Sequence, residues 1–185
     1  RNRIPISSGL GSSAAATVAG ILCATALLNL PEDRQDQLAC AAELEGHGDN
    51  SAACLLGGLT AFLRDGNQVY ARQLPVVPLS LVVVTPDFHF STCQARTVLP
   101  QQVAFKNAVE NLSRSILLIE ALRTGDLELL RTASYDQLHQ PYRLPLIPGA
   151  QVALKSALSA GAAAAFLSGA GPSLLAVVKT AVERE

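Results

Sequence analysis

Apolar residues fall into two kinds of run along this chain: long alanine- and leucine-rich stretches, and short β-branched ones. Ala14–Leu30 is apolar almost throughout and predicts a helix buried in a core. Its Thr17, Thr25 and Asn29, and its stop at Pro31, set it apart from a membrane span. From Pro31 to Glu45 charges alternate around Leu38, Ala41, Ala42 and Leu44, the pattern of a second, amphipathic helix. Asp49-Asn50 are suited to cap a short helix, Ser51–Leu56, closed by Gly57-Gly58. Leu59–Leu63 and Val69–Leu74 flank Asp65-Gly66-Asn67, a hairpin pattern. Pro75 and Pro78 mark a linker, and Leu79–Thr85 reads as a buried strand beyond it.

The second half continues with a short helix, Thr92–Leu99, ending at Pro100. Val109, Leu112, Ile116 and Ile119 recur at three-to-four spacing within a long helix, Val103–Leu122. Gly125 ends that helix and Asp126 caps the next. A proline-punctuated loop holds His139-Gln140-Pro141-Tyr142-Arg143. Helix Ala150–Ala160 stops at Gly161, and two strands follow, Ala163–Leu167 and Leu174–Val178.

Two glycine-rich stretches stand out from this alternation. Near the start, Pro5-Ile6-Ser7-Ser8-Gly9-Leu10-Gly11-Ser12-Ser13-Ala14 reads as a tight loop opening into the first helix. Glycine admits a ligand close to the backbone, and a helix N-terminus offers free N–H groups to a phosphate. No lysine stands beside the second glycine, so this is not a Walker loop. A serine-capped helix is the plain structural alternative. Near the end, Ser168-Gly169-Ala170-Gly171-Pro172-Ser173 joins the last two strands.

Composition narrows the function. Apolar residues make up 49% of the chain and aromatics 4%, enough for a core of Leu, Val and Ala. A net charge of −1 gives no electrostatic case for nucleic acid or an acidic membrane. Cys23, Cys40, Cys54 and Cys93 form no C-x-x-C pair and have no histidine at zinc spacing, so buried free thiols in a reducing cytoplasm are expected. The opening Arg1-Asn2-Arg3 and the closing 180–185 read as cut ends of a longer protein.

Candidate chemistry sits at a few positions. Glu43 and Glu45 are two residues apart on a helix and do not share a face, so one of them points into a given site. Such a carboxylate, with a serine hydroxyl and nucleotide phosphates, suits Mg²⁺. A solvated helix end is the alternative reading of Glu43, Glu45, His47, Asp49 and Asn50. Arg96 and Arg143 lie in loop-like settings beside small polar residues, where a guanidinium pairs with a carboxylate or phosphate. His89, between two phenylalanines, reads as packing; His139 is open to either role.

The two glycine stretches together resemble the phosphate-binding and C-terminal motifs of the GHMP small-molecule kinases. Within that family, Leu44-Glu45-Gly46-His47-Gly48-Asp49-Asn50, Ser91-Thr92-x-x-Ala95-Arg96 and His139-Gln140-Pro141-Tyr142-Arg143 are similar to homoserine kinase segments. Gly48 departs from the usual proline, and Ser51-Ala52-Ala53 from the usual Val-Ala-Pro.

The resemblance implies an α+β fold: a partial N-terminal domain of the ribosomal-protein-S5 type over 1–77 and a ferredoxin-like C-terminal domain over 78–185, with the site in the cleft between. It implies ATP and Mg²⁺ as cofactors. Pro5, Ser8, Gly9, Leu10, Gly11, Ser12, Ser13, Ala14, Gly169 and Gly171 would surround the nucleotide, with Ser13, or Ser12, and Glu45 on the metal and Glu43 as the alternative carboxylate. His47, Asp49, Asn50, Thr92, Arg96 and Arg143 would line an L-homoserine pocket, with Asp49, Asn50 and Arg143 nearest the chemistry. Asp49 is the one base in view, and capping or orienting Asn50 is its other reading. The implied protein is a cytoplasmic enzyme of threonine biosynthesis, with room for a homodimer. The rival readings are another GHMP kinase, such as a mevalonate kinase, a nucleotide-binding module without catalysis, or an interaction protein that keeps the fold.

Overall fold

The structure is a computed structural model and describes residues 2–88 and 92–179, the side chains of 92–94 excepted. Two compact units emerge. One comprises 1–6 and 11–75; the other comprises 7–10 and 76–185. The first glycine stretch is therefore shared, with Ser7–Leu10 packed into the second unit and Gly11 onward into the first.

The first unit holds α1 (Ser12–Leu27), α2 (Arg34–Glu45), α3 (Asp49–Leu56) and a hairpin of β1 (Leu59–Asp65) and β2 (Gln68–Leu74). Asp65 pairs with Gln68, leaving Gly66-Asn67 as a two-residue turn with Gly66 at φ +57°. Asp33 caps α2 by accepting from Gln35 N and Asp36 N. The core is Leu38, Ala42, Ala52 and Val69, lined by Leu55 and Phe62. The Phe62 ring fills the space where any side chain at residue 48 would go, with Cζ 2.3 Å from an added Cβ. The glycine at 48 is thus matched to the hairpin beneath it.

Three expectations change in this unit. Helix α1 is not buried all round: Ala14, Val18 and Thr25 face inward, while Leu22 and Leu27 are exposed, because α2 and α3 pack on only one of its sides. Neither Asp49 nor Asn50 caps α3; Gly48 is the N-cap, without a side-chain bond, and the helix begins at Asp49. Cys23, Cys40 and Cys54 are free, as expected, but exposed, since they sit on outward faces of their helices. Cys93 and His89 lie outside the described residues.

The second unit is a three-stranded antiparallel sheet ordered β3-β5-β4, from β3 (Ser80–Val84), β4 (Ala164–Leu167) and β5 (Leu174–Val178). Alternate residues face opposite sides. Ala164 and Val177 join Ala121 of α5 (Phe105–Thr124) and Leu130 of α6 (Leu127–Ala133) on one face. Leu167 and Leu174 join Ala95 of α4 (Thr92–Thr97), Ile147, and Ala150 of α8 (Ala150–Ser159) on the other. Gly125 ends α5 at φ +78°, and Asp126 caps α6 through Glu128 N and Leu129 N, both as the sequence predicts.

Burial departs from expectation twice here. Among the described residues strand β3 is an edge, with β5 on one side only, and Leu81–Val84 are 44–52% exposed. Helix α5 forms, but turned over. Leu118, Ala121 and Leu122 pack inward, and Val109, Leu112, Ile116 and Ile119 point outward, 40–70% exposed. The expected loop at 139–143 is a short helix, α7 (Gln140–Arg143), followed by a 3-10 turn, Leu144–Leu146. Pro141 lies in the first turn of α7, where its missing N–H costs no helical bond.

Candidate active site

In the first unit the chemistry gathers around the start of α1. Gly11 stands at φ +75° as its N-cap, and no side chain caps the helix. The serine-capped alternative therefore fails, and the serines point elsewhere. Ser13 Oγ donates to Glu45 Oε1 at 2.9 Å, and Thr17 Oγ1 donates to the same oxygen at 2.5 Å. Glu45 ends α2, so the carboxylate is set by helix packing. Glu43 is exposed on another side of α2. Thr17 is a residue the sequence reading missed, although its i+4 spacing from Ser13 puts both hydroxyls on one helix face. One carboxylate with two hydroxyls, at a helix N-terminus open to an anion, is a donor set that fits Mg²⁺ held jointly with phosphates. Among the described residues no group of three His, Cys, Asp or Glu side chains that could hold a metal ion forms.

Nearby in sequence, His47 Nδ1 lies 2.9 Å from Asp49 Oδ1. The Asp49 side chain is 73% exposed and Asn50 is exposed too.

In the second unit the two glycine stretches meet. Ser168 Oγ donates to Gly9 O at 2.9 Å, and Ser173 N donates to Ser8 O at 3.0 Å. Ser8 is buried, while Pro5 is exposed and Leu10 half-buried. Gly169 and Gly171 have φ of +56° and +88°, and Gly171 N closes the turn onto Ser168 O. Buried Ser173 shares a 2.8 Å hydroxyl contact with Thr85.

Arg143 lies beside this turn. Its Nε donates to Ala95 O at 2.9 Å, and its Nη1 donates to His139 Nδ1 at 3.3 Å and Gly169 O at 3.5 Å. Both arginines sit on short helices and not in loops, Arg96 in the last turn of α4 and Arg143 in that of α7. Burial pushes the Arg143 guanidinium below its ordinary pKa, the Arg96 charge pushes the same way, and Asp136 opposes both. Arg143 is half-buried and Arg96 exposed, and an anion beside the pair would relieve their repulsion. The Thr92 side chain lies outside the described residues.

Sequence reasoning also missed Asp136. Its carboxylate accepts from Leu138 N, His139 N and Gln140 N at 3.0, 2.9 and 2.7 Å. Burial alone would raise its pKa, but these donors and His139 hold it below the usual carboxylate value. Burial pushes His139 below the usual imidazole value against the pull of Asp136, and Arg143 adds to the lowering. Both groups bind protons more weakly folded than unfolded. Their stabilisation is complete above the ordinary histidine pKa. It falls as pH drops through the histidine range, and again as pH drops through the folded pKa of Asp136. Melting temperature should therefore decline in two stages on acidification, and His139→Gln should flatten the first. A wild-type curve flat across the histidine range would contradict this.

Comparison with known proteins fits both halves. Residues 1–58 match the GHMP kinases N terminal domain model, and 118–185 the GHMP kinases C terminal model. The chain belongs to the GHMP kinase family. Among GHMP kinases, a homoserine kinase of Moorella thermoacetica is 48% identical over 176 residues, covering 95% of this chain and 60% of that protein. One of Caldicellulosiruptor bescii is 44% identical, covering 96% and 58%. The crystal structure of homoserine kinase from Cytophaga hutchinsonii superposes with a TM-score of 0.87 at 33% identity, covering 98% and 59%. The chain spans about 60% of the length of these relatives. The α+β GHMP kinase fold expected from sequence is the one found. Among the described residues no helix is long and apolar enough to cross a membrane.

Proposed function

We propose that the intact protein is a homoserine kinase, moving the γ-phosphoryl group of ATP to the side-chain hydroxyl of L-homoserine in the cytoplasm. The observation that carries this is Arg143, fixed by Ala95 O, His139 and Gly169 O with the Arg96 charge beside it. An amino-acid substrate brings the carboxylate such a pair lacks. The high identity to homoserine kinases supports the choice within the family.

Each residue then has a task. Backbone amides of Gly9–Ala14 face the phosphates, with Gly169 and Gly171 shaping the turn against Gly9. Glu45 and Ser13 would hold Mg²⁺, which offsets phosphate charge. His47, Asp49, Asn50, Thr92, Arg96 and Arg143 would bind homoserine. Phosphoryl transfer rests mainly on positioning and electrostatics, and a strong base is not required. Asp49, engaged by His47 and open to water, fits a role in orienting the pocket. The proposal extends to a homodimer, supported by the outward apolar stripe of α5 and read from the molar mass of the intact enzyme in solution.

An ADP-release assay on the full-length enzyme with ATP, Mg²⁺ and either L-homoserine, mevalonate, galactose or shikimate tests the reading. Turnover with L-homoserine alone is expected; turnover with another alcohol instead would overturn it. Arg143→Ala should raise the L-homoserine KM by roughly 10- to 100-fold, the loss of a charge-assisted contact, with little change in the ATP KM. An unchanged KM would remove Arg143 from the pocket.

A further inference from the structure

We propose that Asp136, braced by Asn111, is the positioning residue that sets the Arg143 guanidinium for the substrate anion. The identity of that anion rests on the homoserine kinase reading; the positioning does not.

The connection runs through one turn. Asp136 Oδ1 accepts from Leu138 N and, at 3.2 Å, from Asn111 Nδ2; Oδ2 accepts from His139 N and Gln140 N. Asn111 Oδ1 accepts from Gln137 N at 2.9 Å. One carboxylate and one amide on α5 thus fold residues 137–140 into the start of α7. Gln140 Oε1 then accepts from Leu167 N at 2.8 Å, pinning α7 to the end of β4 just before the second glycine turn. Arg143 follows one helical turn later, its N–H on His139 O.

Asp136 also sets the ring that touches Arg143. His139 Nδ1 can accept from Arg143 only when the imidazole proton is on Nε2. That nitrogen lies 3.7 Å from Asp136 Oδ2, so the carboxylate favours the required tautomer. Of the three acceptors that hold Arg143, one is therefore oriented by Asp136 directly, and the backbone carrying the arginine is folded by it.

Replacement by asparagine is informative because it keeps the shape. An amide presents one oxygen where the carboxylate presents two, so its NH₂ must face either Leu138 N and Asn111 Nδ2, or His139 N and Gln140 N. Donor then meets donor. In the full-length enzyme Asp136→Asn should raise the L-homoserine KM about tenfold, the scale of one charge-assisted bond, with kcat and the ATP KM little changed. Asn111→Asp should also raise that KM alone, by placing a second carboxylate beside Asp136. With both substitutions made, the amide now at position 136 can donate to the carboxylate now at position 111. The double variant should therefore recover much of the loss, a coupling of the kind double-mutant cycles isolate. A role in stability alone predicts something else: fewer active molecules, an unaltered KM and no rescue. Should Asp136→Asn fold poorly, Asn111→Ala should show a weaker KM effect of the same direction.

A second readout needs no substrate. The Arg143 Nε–H, held by Ala95 O, should exchange slowly by ¹⁵N NMR in the wild type and fast in Asp136→Asn. Unchanged exchange, or an unchanged KM in a folded variant, overturns the inference. Failure of the wild type to phosphorylate L-homoserine would instead overturn the function reading and leave the exchange result to decide on Asp136.

Discussion

Gly9→Ala should weaken ATP binding and lower the melting temperature by several degrees. A Cβ at residue 9 would lie 2.3 Å from Ser168 O and 2.8 Å from Gly171 O. Both obstacles are backbone, held in a turn that is itself bonded to Ser8 and Gly9. The residue also stands at φ +78°, where a side chain adds strain of its own. Overpacking and strain together amount to roughly 2–5 kcal/mol. The comparison that isolates the close approach is Gly11→Ala. Gly11 has nearly the same φ, +75°, but nothing within 4 Å of an added Cβ. It should lose only the strain, about 1–2 kcal/mol. Thermal melts and ATP titrations of the two variants check this. Equal losses would mean that the two glycine stretches do not touch.

Glu45→Gln should reduce Mg²⁺-dependent kcat by on the order of a hundredfold, the scale for removing one electrostatic partner of a transferring group. Glu43→Gln should change it little. The contrast comes from geometry: the Ser13 and Thr17 hydroxyls both donate to Glu45, while Glu43 is exposed. Raising Mg²⁺ should recover part of the Glu45→Gln loss. Equal and mild effects in the two variants would sink the assignment of Glu45 to the metal.

The sequence was most legible where structure is local. The Gly66-Asn67 turn, the Asp126 cap, the Gly125 stop and the paired strands around the second glycine turn all follow from neighbouring residues. Facing was not legible in the same way. Helix α5 carries two apolar stripes, and its period fixes the helix without saying which stripe meets the sheet. Strand β3 is apolar on both faces, which suits burial, yet only its neighbours decide exposure. The site divides likewise. Arg96, Arg143, Ser13 and Glu45 stood out as residue types in short motifs. Asp136, Asn111 and Thr17 did not, because an acid before a loop, an amide on a helix and a threonine in an alanine run are ordinary until the chain folds them against a partner 25 to 28 positions away.

The exposed strand β3 bears on how the 185-residue chain behaves by itself. Along Leu81–Val84 its outer edge pairs with no strand among the described residues and is flanked on both faces by valine and leucine. No charge, proline or bulge interrupts it. Such an edge is a template for adding strands from other molecules. Expressed in isolation, the polypeptide should gather into β-rich aggregates seeded at these residues. A lysine at Val82, whose side chain is already half in water, is the substitution that should keep it dispersed.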